Sequence, residues 1–337
     1  MRCSRCQLVV GLSIGAVLAA AGTSGAADLH FIIFAETLDP TIGTVADLNN
    51  AGVWARTIAS NTGLNLRLQT LSGSNLTPAN ARRILQNLNP AGDDVVYFTY
   101  SGHGYNAGNS EWPTFAFLTY TGDPYVTFDE VVSTLQPKPQ RLLIVLADCC
   151  NAPIGGAARP TPSTEPAGDS ALTIANFQRL FLGFSGTIRV ASASKDQLSL
   201  GDSSLGGLFT NVYMDTFLEL AGTVSSLTWH RILSDAATEA TNLAAYYISL
   251  GGLGDIEPQE AHVVIEGEQV AAALPASTAS SNTSTTSDTQ TTAPAPPMCG
   301  QPGLLPLTAG ALWLSAGRLR LGGRRGRFAG AEAHLGR

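Results

Sequence analysis

Hydrophobic positions recur with two different periods between residues 28 and 275. Short, almost wholly apolar runs, such as residues 29–34 and 142–147, are typical of strands buried on both faces of a sheet. Longer segments with apolar residues three or four positions apart indicate helices. The pattern predicts six strands, over residues 29–34, 64–71, 95–100, 142–147, 186–192 and 261–266. It also predicts five helices, over residues 45–60, 78–88, 128–135, 211–220 and 229–249.

Strands that alternate with helices predict an α/β fold, with a mostly parallel sheet covered by helices on both faces. No internal repeat is present in the sequence. In such folds, ligands bind beyond the carboxyl ends of the strands. The residues that directly follow the predicted strands are therefore the first candidates for chemistry.

The composition supports a sizeable core and narrows the class of partner. Hydrophobic residues make up 44% of the 337 residues and charged residues 13%, which excludes a globally disordered chain. Between residues 28 and 275 the chain carries 24 acidic and 11 basic side chains, a net charge of −13. Because this charge repels phosphate backbones, we expect no nucleic-acid partner and favour cationic substrates.

The amino-terminal residues are typical of an export signal. Arg2 and Arg5 precede an apolar run over residues 8–21, and small residues follow that run. A retained membrane span is the alternative, but the run is shorter than the ~20 residues that a span needs. We expect residues 1–27 to be a signal peptide, and the mature protein to be exported to a periplasmic, extracellular or cell-surface location.

The carboxyl-terminal residues do not continue the predicted domain. Residues 276–298 are rich in Ser, Thr and Pro, and we expect a linker there because this segment has too little apolar surface to fold. Residues 299–337 run from a Cys-Gly pair through a short apolar stretch to an Arg-rich tail. This order resembles the sorting signals of bacterial surface proteins, with a short membrane anchor or an extension without function as alternatives. A sorting signal or a short anchor would attach the protein to the cell surface or to a membrane.

Two of the predicted strands lead into reactive side chains. The third strand continues into Tyr-Ser-Gly-His-Gly over residues 100–104, so that His103 lies on a tight turn between two glycines. The fourth continues into Ala-Asp-Cys-Cys-Asn, and Cys149 and Cys150 are the only cysteines of the predicted domain. Adjacent cysteines rarely bridge each other, and their spacing is poor for a zinc site. A cysteine beside a histidine predicts a nucleophile with its acid–base partner, whereas two small core residues are the alternative.

These two motifs resemble those of the caspase-like cysteine peptidases, and among them the metacaspases and their bacterial relatives. Residues 42–48, 191–199 and 206–210 also resemble the start of the family's first helix, its fifth-strand loop and the start of a later helix. The resemblance covers roughly residues 29–220. It implies that residues 28–275 form a caspase-like three-layer sandwich, with a mostly parallel central sheet of about six strands flanked by helices.

The resemblance also implies catalytic roles. Cys150 would be the nucleophile and His103 the group that assists its ionisation and protonates the leaving amine. The backbone N–H groups of Gly104 and Cys150 would stabilise the oxyanion. Cys149 would point away from the site. These roles describe a Cys-His dyad that hydrolyses peptide bonds.

The implied substrate follows from the acidic pocket of the metacaspases. The matching positions are Asp47 and Asp148, with Ser101 nearby, and two carboxylates would receive an Arg or Lys side chain through charge-assisted hydrogen bonds. The partner would then be a peptide or protein with basic residues. The sequence thus predicts an exported cysteine endopeptidase that cleaves after Arg or Lys.

The chain departs from the family just after the nucleophile. Asn-Ala-Pro over residues 151–153 stands where metacaspases usually have His-Ser-Gly, and the caspase signature Gln-Ala-Cys-x-Gly is absent. A catalytically inactive caspase-like module that binds peptides is therefore an alternative. A peptidase of the same fold with Asp specificity, and a ligase or transpeptidase, are two others.

Regulation is implied only by the family. No cofactor is required for the chemistry, and the metal ligands are unknown. Calcium dependence is a family property, although no calcium-loop spacing is present. Residues 155–170 form an expected exposed loop of the kind in which metacaspases cleave themselves, but its one basic residue, Arg159, precedes a proline. We expect a monomer.

Overall fold

The computed structural model describes residues 26–106, 108, 110–118, 125–151, 171–250 and 256–270. The chain divides into two compact units, residues 1–278 and 279–337, and every described residue belongs to the first. The strands are β1 (Asp28–Ala35), β2 (Asn65–Ser72), β3 (Val95–Ser101), β4 (His103–Tyr105), β5 (Thr114–Ala116), β6 (Val126–Thr127), β7 (Leu142–Asp148), β8 (Phe184–Ala191), β9 (Gly201–Asp202), β10 (Gly206–Gly207) and β11 (His262–Gln269). The helices are α1 (Thr44–Thr62), α2 (Pro78–Asn87), α3 (Phe128–Leu135), α4 (Ala171–Phe181), α5 (Leu208–Thr223) and α6 (Trp229–Ser249).

The central sheet has six strands in the order β11-β8-β7-β3-β1-β2. All neighbours are parallel except β11, which runs antiparallel to β8. The register pairs Ala35 of β1 with Ser101 of β3, and Ser101 with Asp148 of β7. The carboxyl ends of these three strands therefore lie side by side.

Helices cover both faces of this sheet and bury two separate hydrophobic clusters. Successive residues of a strand point to opposite faces, so Phe31 of β1 packs in one cluster and Ile32 in the other. The first cluster draws on α1, α4, α5 and α6, and the second on α2 and α3. The expected three-layer α/β fold, with a mostly parallel sheet of six strands, is confirmed.

Three helices begin at threonine caps that the local sequence provides. The side chain of Thr77 accepts the N–H of Asn80 at 3.3 Å, and that of Thr127 accepts the N–H of Glu130 at 3.0 Å. Thr228 caps α6 in the same way. Such a cap stabilises a helix by about 1 kcal/mol, and the predicted bounds of α3 and α6 agree with the observed ones.

Some elements were not predicted. Helix α4 buries the polar residues Thr173 and Asn176 beside Phe177 and Leu180, which interrupts the apolar periodicity on its inner face. The Asn176 amide is satisfied by the carbonyl groups of Ala221 and Val224. Strands β4, β5, β6, β9 and β10 have only two or three residues each, too few for an alternating pattern to emerge.

Several predicted segments lie outside the described residues. These are the signal peptide up to residue 25, the loop 155–170, the linker 276–298 and the segment 299–337. Within the described ranges, no helix is both long and apolar enough to cross a membrane.

Candidate active site

The predicted site residues other than Gly104 line one small pocket at the carboxyl ends of β1, β3 and β7. The pocket has a volume of about 50 Å³. It is lined by Asp47, Ser101, His103, Asp148, Cys150, Ser199 and Gly207, among others. The parallel register of the sheet explains this meeting, because it aligns the ends of three neighbouring strands.

The backbone around His103 is fixed by close packing. A Cβ atom on Gly102 would lie 2.5 Å from the Tyr100 hydroxyl and 2.8 Å from Cβ of Glu36, so only glycine fits between β3 and β4. The Tyr100 hydroxyl donates to the carbonyl oxygen of His103 at 2.6 Å. Tyr100 itself is fully buried, so this bond holds His103 against the core.

His103 has a carboxylate neighbour that the sequence analysis did not single out. Its Nε2 lies 2.9 Å from Oδ2 of Asp39, which is in the connection between β1 and α1. The other oxygen of Asp39 accepts the N–H of Thr41 at 2.8 Å. The pKa of the Asp39 carboxyl group is lowered chiefly by the Thr41 hydroxyl and further by His103. The available signal was an Asp-Pro pair just beyond β1, the strand beside β3.

The two cysteines occupy different environments. Both cysteines line the pocket, but Cys149 is 2% exposed and packs in the hydrophobic cluster on the α2 and α3 face, whereas Cys150 is partly exposed. The Cys150 thiol is directed at the carbonyl oxygen of Ser199, with Sγ 3.8 Å from it. Burial raises the pKa of both thiols, that of Cys149 well above its ordinary value. Cys150 therefore needs a base to ionise near neutral pH, and His103 lines the same pocket.

Gly104 brings β4 against the chain that carries the cysteines. A Cβ atom on Gly104 would lie 2.4 Å from the carbonyl oxygen of Cys150 and 2.6 Å from Sγ of Cys149. Only a glycine allows this approach. The two residues whose N–H groups the family resemblance assigns to the oxyanion are thus in direct contact through their backbones.

Two carboxylates form the floor of the pocket. Asp47 is 4% exposed and Asp148 is 5% exposed. Asp47 accepts the Ser101 hydroxyl on one oxygen and the N–H of Gly207, at 2.9 Å, on the other. The seven ion pairs found within the described part of the chain involve neither carboxylate.

Asp148 is held by the start of α5. It accepts the N–H of Thr210 at 2.9 Å and the Ser199 hydroxyl at 2.8 Å. The first turn of a helix places unpaired backbone N–H groups where Asp148 can accept from them. Asp47 also binds the start of α5, through the N–H of its N-cap Gly207, but burial and the charge of Asp148 raise the pKa of Asp47 to about 7.

The comparison with family models identifies the protein family of this chain. Residues 39–239, more than half of the chain, match the caspase domain of the peptidase C14 family. The chain belongs to the caspase-domain family. The family expectation of the sequence analysis is therefore confirmed, while a particular closeness to bacterial metacaspases stays a prediction.

Similar solved structures include two with low sequence identity. Protein GSU0716 from Geobacter sulfurreducens is 15% identical with a TM-score of 0.44, and the match covers 72% of this chain and 94% of that chain. Caspase-1 from Spodoptera frugiperda is 13% identical with a TM-score of 0.42, covering 71% of this chain and 86% of that chain. No curated protein sequence matches the chain.

Asn151 directly follows the two cysteines, and it begins the segment that departs from the metacaspase motif. Asn151 is fully buried, and its amide nitrogen donates to the carbonyl oxygen of Glu111 at 2.9 Å and to that of Ala193. Its amide oxygen accepts from Asn106 at 3.0 Å. Its backbone N–H donates to the carbonyl oxygen of Gln197, and its carbonyl oxygen accepts the N–H of Asp196. Asn151 therefore ties three segments of the caspase domain together next to Cys150.

One cluster of potential metal ligands is found among the residues that the structure describes. It consists of Asp28, His30 and Asp94, at the opposite end of the sheet from the pocket. The carboxylate of Asp94 is already engaged in hydrogen bonds: it accepts the N–H groups of Asp28 and Ala91, and it lies 3.0 Å from Nε2 of His30.

Proposed function

We propose that this caspase-domain protein is a cysteine endopeptidase that cleaves after Arg or Lys, with Cys150 as nucleophile and His103 as acid–base. The observation that carries the proposal is one pocket holding a cysteine, a histidine and two buried carboxylates. No basic side chain of the described residues pairs with those carboxylates. A cationic substrate side chain would supply the missing charge.

The reaction begins with proton transfer from Sγ of Cys150 to His103. The thiolate attacks the scissile carbonyl carbon, and the resulting oxyanion accepts hydrogen bonds from the N–H groups of Gly104 and Cys150. The C–N bond then breaks, and the leaving amine takes the proton from His103. A thioester on Cys150 remains. Water attacks it with His103 as the base, which releases the carboxylic acid and restores the thiol.

Specificity follows from the charge of the pocket. A guanidinium or ammonium group between Asp47 and Asp148 would form charge-assisted hydrogen bonds, each contributing about 1.5–3 kcal/mol. An Asp side chain at the same place would meet two carboxylates. The pocket therefore favours Arg and Lys over Asp before the cleaved bond, and Ser101 helps to orient Asp47.

Export completes the proposal. Residues 1–27 would direct the chain out of the cytoplasm, and residues 299–337 would attach it to a membrane or to the cell surface. The caspase domain would then act on basic peptides or proteins outside the cytoplasm, as a monomer.

The test is hydrolysis of matched fluorogenic peptides that end in Arg, Lys or Asp, by the full chain with reductant and with or without calcium. We expect cleavage after Arg and Lys, with kcat/KM falling by at least about 10³-fold in Cys150→Ala and His103→Ala. Cys149→Ala is the matched control and is expected to retain activity. Preference for Asp would refute the specificity, and absence of turnover in every condition would favour a peptide-binding module.

A further inference from the structure

The side chain of His103 is held at one ring nitrogen. Nε2 lies 2.9 Å from Oδ2 of Asp39, a normal distance for a charge-assisted hydrogen bond. The two side chains are 37% and 23% exposed, so the contact lies at the mouth of the pocket and water competes with it only in part. Asp39 thus meets the geometric requirement for a group that orients a histidine.

Asp39 is itself fixed by its own loop. Its Oδ1 accepts the N–H and the hydroxyl of Thr41, which leaves Oδ2 for His103. Pro40 follows Asp39 and restricts the backbone on both sides of the peptide bond. The carboxylate is therefore in position before any substrate binds.

A buried glutamate anchors this loop to the sheet. Glu36 is fully buried and accepts the N–H of Leu38 at 3.1 Å and the N–H of Leu118 at 2.8 Å. Its own N–H donates to the carbonyl oxygen of Ser101 at 2.9 Å. The loop that carries Asp39 is thus tied through Glu36 to β3, the strand that leads into His103.

A carboxylate on Nε2 settles which ring nitrogen acts on the thiol. An ionised carboxylate only accepts hydrogen bonds, so Nε2 carries the proton in the neutral ring and Nδ1 keeps the free electron pair. Nδ1 then takes the proton from Sγ of Cys150, and the carboxylate of Asp39 stabilises the imidazolium that results. We infer that Asp39 is a positioning residue for His103, so that the proposed dyad works as a Cys150–His103–Asp39 triad. This inference rests on the proposed function.

The test compares Asp39→Asn and Asp39→Glu with the wild-type full chain. An asparagine can turn its NH₂ group towards Nε2 and so favour the wrong tautomer, a change that lowers the rate of a serine peptidase by about 10⁴-fold. Because a thiol ionises more readily than a hydroxyl, we expect kcat at pH 7 to fall by about 10²-fold in Asp39→Asn, with KM changed by less than about twofold. Asp39→Glu should recover part of this loss. Asp93→Asn is the matched control, on an exposed aspartate at the other end of β3.

A pH profile separates positioning from mere folding. The ionisable groups around His103 are Asp39, Glu36, Asp47, Tyr100, Asp148, Cys149 and Cys150. Burial raises the pKa of Tyr100 well above its ordinary value. Asp47 titrates near pH 7 in wild type and variant alike, so its effect cancels in their ratio. As the pH rises, ionisation of the Cys150 thiol depends less on a base, and the deficit of Asp39→Asn should therefore be smaller at pH 10 than at pH 7. A structural defect would be the same at every pH.

Alkylation of Cys150 by iodoacetamide, followed by peptide mass spectrometry, provides a readout that needs no substrate. We expect slower alkylation in Asp39→Asn than in wild type at pH 7, and a smaller difference between the two rates at pH 10. Wild-type rates in Asp39→Asn at pH 7, or a pH-independent loss with a melting temperature below that of Asp93→Asn, would overturn the inference. Should the wild-type chain cleave no peptide, the proposed function fails, and the alkylation profile still decides whether Asp39 positions His103.

Discussion

Replacing Asp47 by asparagine tests whether the substrate pocket destabilises the empty protein. Asp47 is buried, with 4% of its surface exposed. Its pKa is raised to about 7 because burial and the charge of Asp148 disfavour the carboxylate. Asparagine has the same shape. Its oxygen can accept the N–H of Gly207, and its NH₂ group can donate to the Ser101 hydroxyl. The variant therefore removes the charge and keeps the packing.

The sign follows from the two protonation states. The unfolded-state pKa of an aspartate is 3.8, below the folded-state value of about 7, so between these values the folded protein binds more protons. The free energy of unfolding of the wild type thus falls as pH rises through this window. A shift of about three units corresponds to about 4 kcal/mol in full, and to roughly 2.5 kcal/mol between pH 5 and pH 8.

The assay is urea unfolding of the full chain, followed by the fluorescence of Trp54 and the other tryptophans, at pH 5 and pH 8. The stability of Asp47→Asn relative to wild type should rise by roughly 2.5 kcal/mol between the two pH values. Cleavage after Arg should be lost at the same time. Asp39→Asn is the control, because its lowered pKa keeps that carboxylate ionised in both states over this range. A difference for Asp47→Asn that does not change with pH would refute the reasoning.

Two further substitutions test the surroundings of Cys150. Gly104→Ala places Cβ 2.4 Å from the carbonyl oxygen of Cys150, so we expect kcat to fall by about 10²-fold or more, measured against Gly92→Ala, where the nearest atom is 3.6 Å away. An unchanged kcat would contradict the oxyanion role. Asn151→Ala removes three side-chain hydrogen bonds of a fully buried residue and should lower the free energy of unfolding by about 3 kcal/mol in urea titrations, against less than about 0.5 kcal/mol for the exposed Asn87→Ala. A small effect at Asn151 would show that the segments it joins are held by other contacts.

The sequence was most informative where burial is complete. Strands β3 and β7 are buried at every residue, so their apolar runs were unmistakable, and the residues that follow them could be read as candidates. His103 and Cys150 stood out because each directly follows such a strand. The parallel register then brings them together, which the alternation of strands and helices had implied.

Other features depend on contacts that a linear pattern does not carry. The inferred role of Asp39 depends on a hydrogen bond across 64 residues, and the Asp-Pro pair beyond β1 does not by itself distinguish this residue from an aspartate that only caps a turn. Helix α4 was missed because its inner face includes Asn176, whose burial makes sense only once the carbonyl groups at the end of α5 are in place. The meaning of Asn151 likewise appears only with its partners Asn106 and Glu111.

Stability and specificity are linked in this pocket through the same two carboxylates. The hydrophobic clusters on the two faces of the sheet stabilise the fold, whereas the buried pair of Asp47 and Asp148 works against it. A cation bound between them would remove the repulsion and lower the pKa of Asp47, so binding an Arg side chain should release a proton near pH 7. An Asp side chain would add a third negative charge to the same buried volume. The feature that makes the unbound protein less stable at neutral pH is therefore the one that would select a basic substrate under the proposed function.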